Sequence, residues 1–68
     1  MPRIEQYEIW ALNADKWELT SSFRDFDVAS AVARSRSVRV RLMHVVYEEG
    51  QVVEKQVIAE IGSTREHP

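Results

Sequence analysis

The sequence predicts an α+β fold. It is a ββαββ two-layer sandwich, with a four-stranded, mainly antiparallel sheet carrying one helix on one face. Three observations predict it. Four segments alternate apolar and polar residues at period two. One segment between the second and third has helical spacing instead. A cluster of turn-forming residues divides each pair of strands.

Ile4 to Leu12 reads as the first strand, with Tyr7, Ile9 and Ala11 alternating with Gln6, Glu8 and Trp10. Asn13-Ala14-Asp15-Lys16 has the composition of a turn. Trp17 to Phe23 is the second strand. Trp17, Leu19, Ser21 and Phe23 share one side of it, and Glu18, Thr20 and Ser22 the other.

Then the period changes. Asp25 suits an N-cap, and Asp27 suits the first turn near the positive end of the helix dipole. From Phe26 to about Arg36, the residues Phe26, Ala29, Val32 and Ala33 fall on one stripe. Alanine favours helix and lets it approach a sheet closely. Arg34 and Arg36 fall in the last turn, where cations are stabilising. Val38 to Tyr47 is the third strand, Glu48-Glu49-Gly50-Gln51 a hairpin turn, and Val52 to Ile61 the fourth strand. Gly50 supplies the positive φ that such a turn needs.

Side-chain alternation constrains the pairing. In the second hairpin an even loop sets Val38 against Ile61, Val40 against Ala59, Leu42 against Val57, His44 against Lys55 and Val46 against Val53. The other face then holds Arg39 opposite Glu60, Arg41 opposite Ile58, Met43 opposite Gln56, Val45 opposite Glu54 and Tyr47 opposite Val52. An odd loop would place Leu42 beside Gln56, so burial selects the even register. The first hairpin has two candidates. An odd loop turns Tyr7, Ile9, Ala11, Leu19, Ser21 and Phe23 inward. An even loop groups Trp10, Leu12, Trp17, Leu19 and Phe23 instead. The odd loop is favoured because it keeps Gln6 and Glu8 out of the core. A right-handed crossover through the helix predicts the spatial strand order 2-1-3-4.

Sixty-eight residues make one domain. It spans residues 1–62, followed by a polar, flexible tail over 63–68. A chain this short buries a thin core, and dimerisation is a common remedy. Hydrophobic content of 44% argues against disorder. There is no Cys, which excludes a disulfide framework, thiol catalysis and a Cys-based zinc site. No signal peptide or membrane-spanning run is present, so the expected location is cytoplasmic, without membrane contact. The net charge of −2 disfavours a general nucleic-acid binder. Its distribution is uneven. Residues 24–41 hold five Arg and two Asp, and residues 44–62 hold four Glu and one Lys.

Catalysis finds little support. His44 and His67 lie in a strand and in the tail, without metal-ligand spacing. The Ser residues at 21, 22, 30, 35, 37 and 63 sit where caps and turns want them, and no nucleophile elbow is present. Asp25 and Asp27 start the helix, and Glu48 and Glu49 form a hairpin tip. Two glycines cannot build a phosphate loop. The expectation is a protein without enzymatic activity, cofactor or metal.

A surface is the better candidate. The sheet face away from the helix is expected to show Trp10, Leu12, Arg39, Arg41, Met43, Val45, Tyr47, Val52 and Ile58, among Glu8, Glu18, Glu54 and Glu60. That is too apolar for a solvent face and reads as an interaction site. The partner is a second copy or another protein, because Trp, Tyr, Met and Arg are enriched at interfaces. Single-stranded nucleic acid is the alternative, with Trp10 and Tyr47 stacking bases and Arg39 and Arg41 on phosphates. The interleaved glutamates oppose it. A third reading covers these residues within the monomer. His44, on the apolar face, marks where the helix stops covering the strand, and the hairpin arm beyond it is expected to carry Val46 and Val53 to a partner.

The pattern Y-x-I-W (Tyr7–Trp10), W-E-L (Trp17–Leu19), S-F-R-D (Ser22–Asp25), an Ala-rich helix, V-R-V (Val38–Val40) and Y-E-E-G (Tyr47–Gly50) resembles a family of short, uncharacterised bacterial proteins. It covers residues 4–62. The resemblance implies a bacterial, stand-alone cytoplasmic domain and brings no catalytic residues with it.

Overall fold

The computed structural model describes residues 3–36 and 38–62. The tail expected over 63–68, with His67, lies outside them. Four strands and one helix follow the expected order: β1 (Arg3–Asn13), β2 (Lys16–Phe23), α1 (Phe26–Arg34), β3 (Val40–Glu48) and β4 (Gln51–Ile61). The strands form one antiparallel sheet in the order β2-β1-β3-β4. This is the ββαββ α+β sandwich, with the strand order expected of the sequence.

The helix starts and stops on local chemistry. Asp25 is the N-cap, and its Oδ1 accepts a hydrogen bond from the Asp27 amide at 2.9 Å. The Asp27 carboxylate lies in the first turn and Arg34 in the last, each at the end of the dipole that stabilises its charge. Ser35 closes the helix, with its amide donating to the Ala31 and Val32 carbonyls. Of the expected stripe, Ala29 and Ala33 are fully buried and Val32 is half-buried. Phe26 lies at the margin, its ring edge-on to Tyr7 at 5.5 Å. The two alanines let the helix lie close over Ile9, Ala11, Val40 and Leu42, which form the core with them. Tyr7, Phe23 and Ile61 border that core.

Both hairpins turn through two residues. Asn13 pairs with Lys16, and Glu48 with Gln51. Ala14 and Asp15 have φ of 52° and 69°, and Glu49 and Gly50 have 53° and 81°. Two consecutive positive φ values define the turn whose twist matches an antiparallel ribbon.

The strands are not uniform, and this corrects both expected registers. In the first hairpin the loop is even. Trp10 therefore faces Leu19 and Leu12 faces Trp17, all on the face away from the helix. Between Ile9 and Trp10 the register shifts by one, leaving Thr20 unpaired. The Thr20 hydroxyl donates to the Ile9 carbonyl at 3.0 Å. Past this bulge Ile9 faces Ser21 and Tyr7 faces Phe23, as the odd register has it. Neither register holds throughout. The bulge turns both tryptophans away from the helix and returns Phe23 to it.

The second hairpin carries two shifts. Tyr47 faces Val52 as expected, but Val46 then faces Glu54, and Val53 is skipped. Val45 faces Lys55, His44 faces Gln56 and Met43 faces Val57. Leu42 then faces Ala59, and Ile58 is skipped. Val40, not Val38, faces Ile61. Val38 lies outside β3 and is exposed. Each bulge moves the partner by one, so in the second hairpin an alternation read at full length misassigns every pair beyond the first bulge.

Candidate functional site

The face away from the helix, here the open face, is built by alternate residues of each strand. β1 contributes Ile4, Gln6, Glu8, Trp10 and Leu12, and β3 contributes Arg41, Met43, Val45 and Tyr47. β2 contributes Trp17 and Leu19, and β4 contributes Val52, Lys55, Val57 and Glu60.

Of the nine residues expected there, Trp10, Leu12, Arg41, Met43, Val45, Tyr47 and Val52 share this face. Arg39 stands at its end, just outside β3, where its carbonyl accepts from the Leu12 amide at 2.9 Å. Ile58 is a bulge residue without a partner in the β3 register and is exposed. Two of the accompanying glutamates are elsewhere. Glu18 pairs with Ala11, and Glu54 pairs with Val46, so both lie on the helix side. Glu54 sits 3.6 Å from the Arg3 guanidinium there.

The alternation missed Trp17, Leu19, Lys55 and Val57. Trp17 and Leu19 were expected under the helix, Lys55 opposite His44 and Val57 opposite Leu42. The bulges bring them to the open face. Two adjacent signals point to the bulges: a run of small polar residues, Thr20-Ser21-Ser22, and consecutive β-branched residues at Val52-Val53 and Val57-Ile58.

The site centres on Glu8. This carboxylate is buried, with 4% of its surface exposed. Its two oxygens are shared out. Trp10 Nε1 donates to Oε1 at 2.9 Å, and the Tyr47 hydroxyl donates to Oε2 at 2.8 Å. A buried carboxylate needs such donors to offset the loss of water. The Tyr47 hydroxyl is held above its ordinary pKa, first by the hydrogen bond to Glu8, then by burial and by the Glu8 charge.

Around this centre the cations sit on rings. The Arg41 guanidinium lies 4.1 Å from the centre of the Trp17 ring, and Lys55 Nζ lies 5.5 Å from that of Trp10. Arg41 Nε also donates to Glu60 at 2.8 Å, and Arg39 donates to its other oxygen at 3.1 Å. Glu60 is thereby held below the usual carboxylate pKa, chiefly by Arg41 and then by Arg39. The expected Arg39–Glu60 contact is present, but on the diagonal, because Arg41 stands opposite Glu60. Gly62 makes room for it. A Cβ there would come within 2.9 Å of Arg39 Cγ.

Two shallow clefts open on this face. One, of about 230 Å³, is lined by Trp10, Trp17, Arg41, Met43 and Lys55. The other, of about 330 Å³, lies at the far end between Ile4, Gln6, Tyr47 and the Glu49-Gly50 turn. Between them Val45 is closed off entirely.

On the helix side beyond α1, a polar grid takes over. His44 stacks on Tyr7 with ring centres 5.1 Å apart, and its Nε2 lies 3.1 Å from Glu5. Val46, between Glu5 and Glu54 in the register, is 1% exposed. His44 faces Gln56 rather than Lys55 and stands outside the core cluster under the helix, which includes Leu42.

Among the described residues no group of three or more His, Cys, Asp or Glu could hold a metal ion. No helix among them is long and apolar enough to cross a membrane. No family model, curated protein or solved structure matches this chain. The resemblance to short bacterial proteins therefore rests on the quoted motifs alone.

Proposed function

We propose that this chain is a small, non-enzymatic interaction module that associates with itself through its sheet. One observation carries the reading. Four exposed aliphatic side chains gather on one edge strand: Val52, Val53, Val57 and Ile58 of β4 are each 41–53% exposed. Eight successive residues there, from Gln51 to Ile58, are exposed. A long, apolar edge is a template for another strand. The polar groups of the open face support contact rather than catalysis, because Glu8, Glu60, Arg39, Arg41, Trp10 and Tyr47 are already engaged with one another. A Cys-free chain fits a reducing, cytoplasmic setting. Sedimentation velocity across the micromolar range tests the proposal. The expected result is a concentration-dependent dimer; a monomer throughout rejects it.

A second reading, binding of single-stranded nucleic acid on the open face, gains from one observation. Of the four glutamates set against it, Glu18 and Glu54 lie on the helix side, Glu8 is buried, and Glu60 is paired with two arginines. Trp10, Trp17, Arg41 and Lys55 remain together around one cleft. Stacking rings beside cations are the chemistry of such sites. Titration with a labelled oligonucleotide at low salt decides it, since electrostatic attraction is strongest there. Absence of binding under those conditions ends this reading.

A further inference from the structure

In the order β2-β1-β3-β4, the strand β4 has β3 on one side and, among the described residues, no strand on the other. One row of its backbone N–H and C=O groups therefore faces outward. The opposite edge, β2, is shorter and mainly polar (KWELTSSF). β4 is 11 residues long, contains no Pro, and carries the exposed valines and isoleucine. The helix packs against β1, β2 and β3.

Resting on the reading of self-association, we propose that β4 pairs antiparallel with β4 of a second copy, about a two-fold axis at Gln56. Two four-stranded sheets then become one continuous sheet. The bulges single out this register. A two-fold axis perpendicular to the sheet keeps each face on its own side, so opposed residues must share a face. The β3 partners place Gln51, Glu54, Gln56, Ala59 and Ile61 on the helix face. They place Val52, Lys55, Val57 and Glu60 on the open face, with Val53 and Ile58 as the bulge residues.

An axis at Val57 would set Lys55 against Ala59 and Glu54 against Glu60, crossing faces in both cases. An axis at Ile58 would set Val57 against Ala59, and one at Glu54 would set Val52 against Gln56. These also cross faces. Of the axes that pass through a residue and pair more than half of β4, those at Lys55 and Gln56 keep the faces matched. The axis at Lys55 opposes two ammonium groups directly, which is destabilising. The axis at Gln56 opposes two neutral amides. It sets Lys55 against Val57, Val52 against Glu60 and Gln51 against Ile61. The bulge residues Val53 and Ile58 fall opposite Ala59 and Glu54. All 11 residues of the strand are used, and no like charges stand directly opposite each other.

The chain has no Cys, so a single introduced thiol reports the register. Directly opposed residues in an antiparallel pair have Cα atoms about 4.5–5.5 Å apart, within disulfide reach. The two Lys55 sites become diagonal neighbours, roughly 7–8 Å apart, and fall outside it. Under mild oxidation at micromolar concentration, Gln56→Cys is expected to give a disulfide-linked dimer, and Lys55→Cys at least about tenfold less. Val57→Lys, which opposes Lys55 twice, should raise the dimer dissociation constant about tenfold, whereas Val57→Glu should not raise it. A dimer in sedimentation whose Gln56→Cys form stays unlinked, or whose Lys55→Cys form links instead, overturns the register and leaves self-association standing. A monomer at every concentration overturns both. A monomer that takes up an extended peptide of another protein along β4 overturns the second copy as occupant.

Discussion

Val45 and Val46 are neighbours in β3, point to opposite faces of one sheet, and are both closed to solvent, at 0% and 1% exposure. A nine-residue helix cannot cover both faces. Two different materials close the sheet instead. On the open face Val45 lies in the same sheet face as Trp10, Met43, Tyr47 and Lys55. On the helix side Val46 lies between Glu5 and Glu54, within reach of Arg3 and His44 pairing with them.

Truncating either valine should therefore cost a core price even though only one layer of helix exists. Val45→Ala and Val46→Ala are each expected to lose about 1.5–3 kcal/mol of unfolding free energy. Val53→Ala, on the exposed bulge, should lose well under about 1 kcal/mol. Urea denaturation of the three variants at low concentration makes the comparison. Equal, small losses at Val45 and Val53 would contradict a closed open face.

Glu8 should be the most sensitive polar position. Glu8→Ala removes the acceptor for both Trp10 Nε1 and the Tyr47 hydroxyl, at an expected cost of about 2 kcal/mol or more. Glu8→Gln should cost less, about 1 kcal/mol. Its amide still offers one oxygen to the indole, and the phenol can turn to accept from the amide nitrogen. The order of the two losses in chemical denaturation is the check.

The Tyr47 phenol should titrate late. Its folded pKa is raised above the ordinary 10.0, with the Glu8 hydrogen bond as the main cause. A raised value means that the fold favours the protonated phenol. The associated stability is complete below the ordinary value and disappears as pH rises through the folded one. Ring-labelled tyrosine NMR should show Tyr47 ionising above its ordinary value in the native chain. In Glu8→Gln the value should return toward 10.0.

Glu60 has the opposite sign. Arg41 and Arg39 lower its pKa below the ordinary 4.5, so the fold favours the carboxylate. That stabilisation is present at neutral pH, begins to fade near the ordinary value, and is lost as pH falls through the folded one. Unfolding curves between neutral and acid pH should fall less steeply for Glu60→Gln than for the parent chain. High salt should narrow the gap, because the three groups are exposed.

Much of the architecture was legible in the sequence. Period-two alternation placed four strands, and Asp25, the alanine stripe and Arg34 placed the helix. The strand order followed from handedness. The pairing did not, because a bulge breaks the parity on which register reading depends. Thr20, Val53 and Ile58 each insert one residue, so Trp17, Leu19, Lys55 and Glu54 fall on the face opposite to that expected. The apolar side chains of the open face were found because β1 and β3 carry no skipped residue where they meet. What hid was the role of Glu8. An alternating glutamate looks solvated, and only the juxtaposition of Trp10 with Tyr47 across two strands reveals it as buried.

The seam between β1 and β3 also orders events in time. Each hairpin joins residues close in sequence, whereas the seam joins Arg3 to Glu48 and Ala11 to Val40. Ribbons can form early from local contacts, but the seam waits until the intervening loop and helix are closed. Ile9 and Leu42 face each other on it beneath the helix. Stopped-flow measurements should find that Ile9→Val and Leu42→Ala mainly slow folding, while Val57→Ala at the rim mainly speeds unfolding. The reverse pattern would place the nucleus in a hairpin. The molecule is, in this sense, two ribbons whose union is the slow step, with the helix setting how far apart they begin.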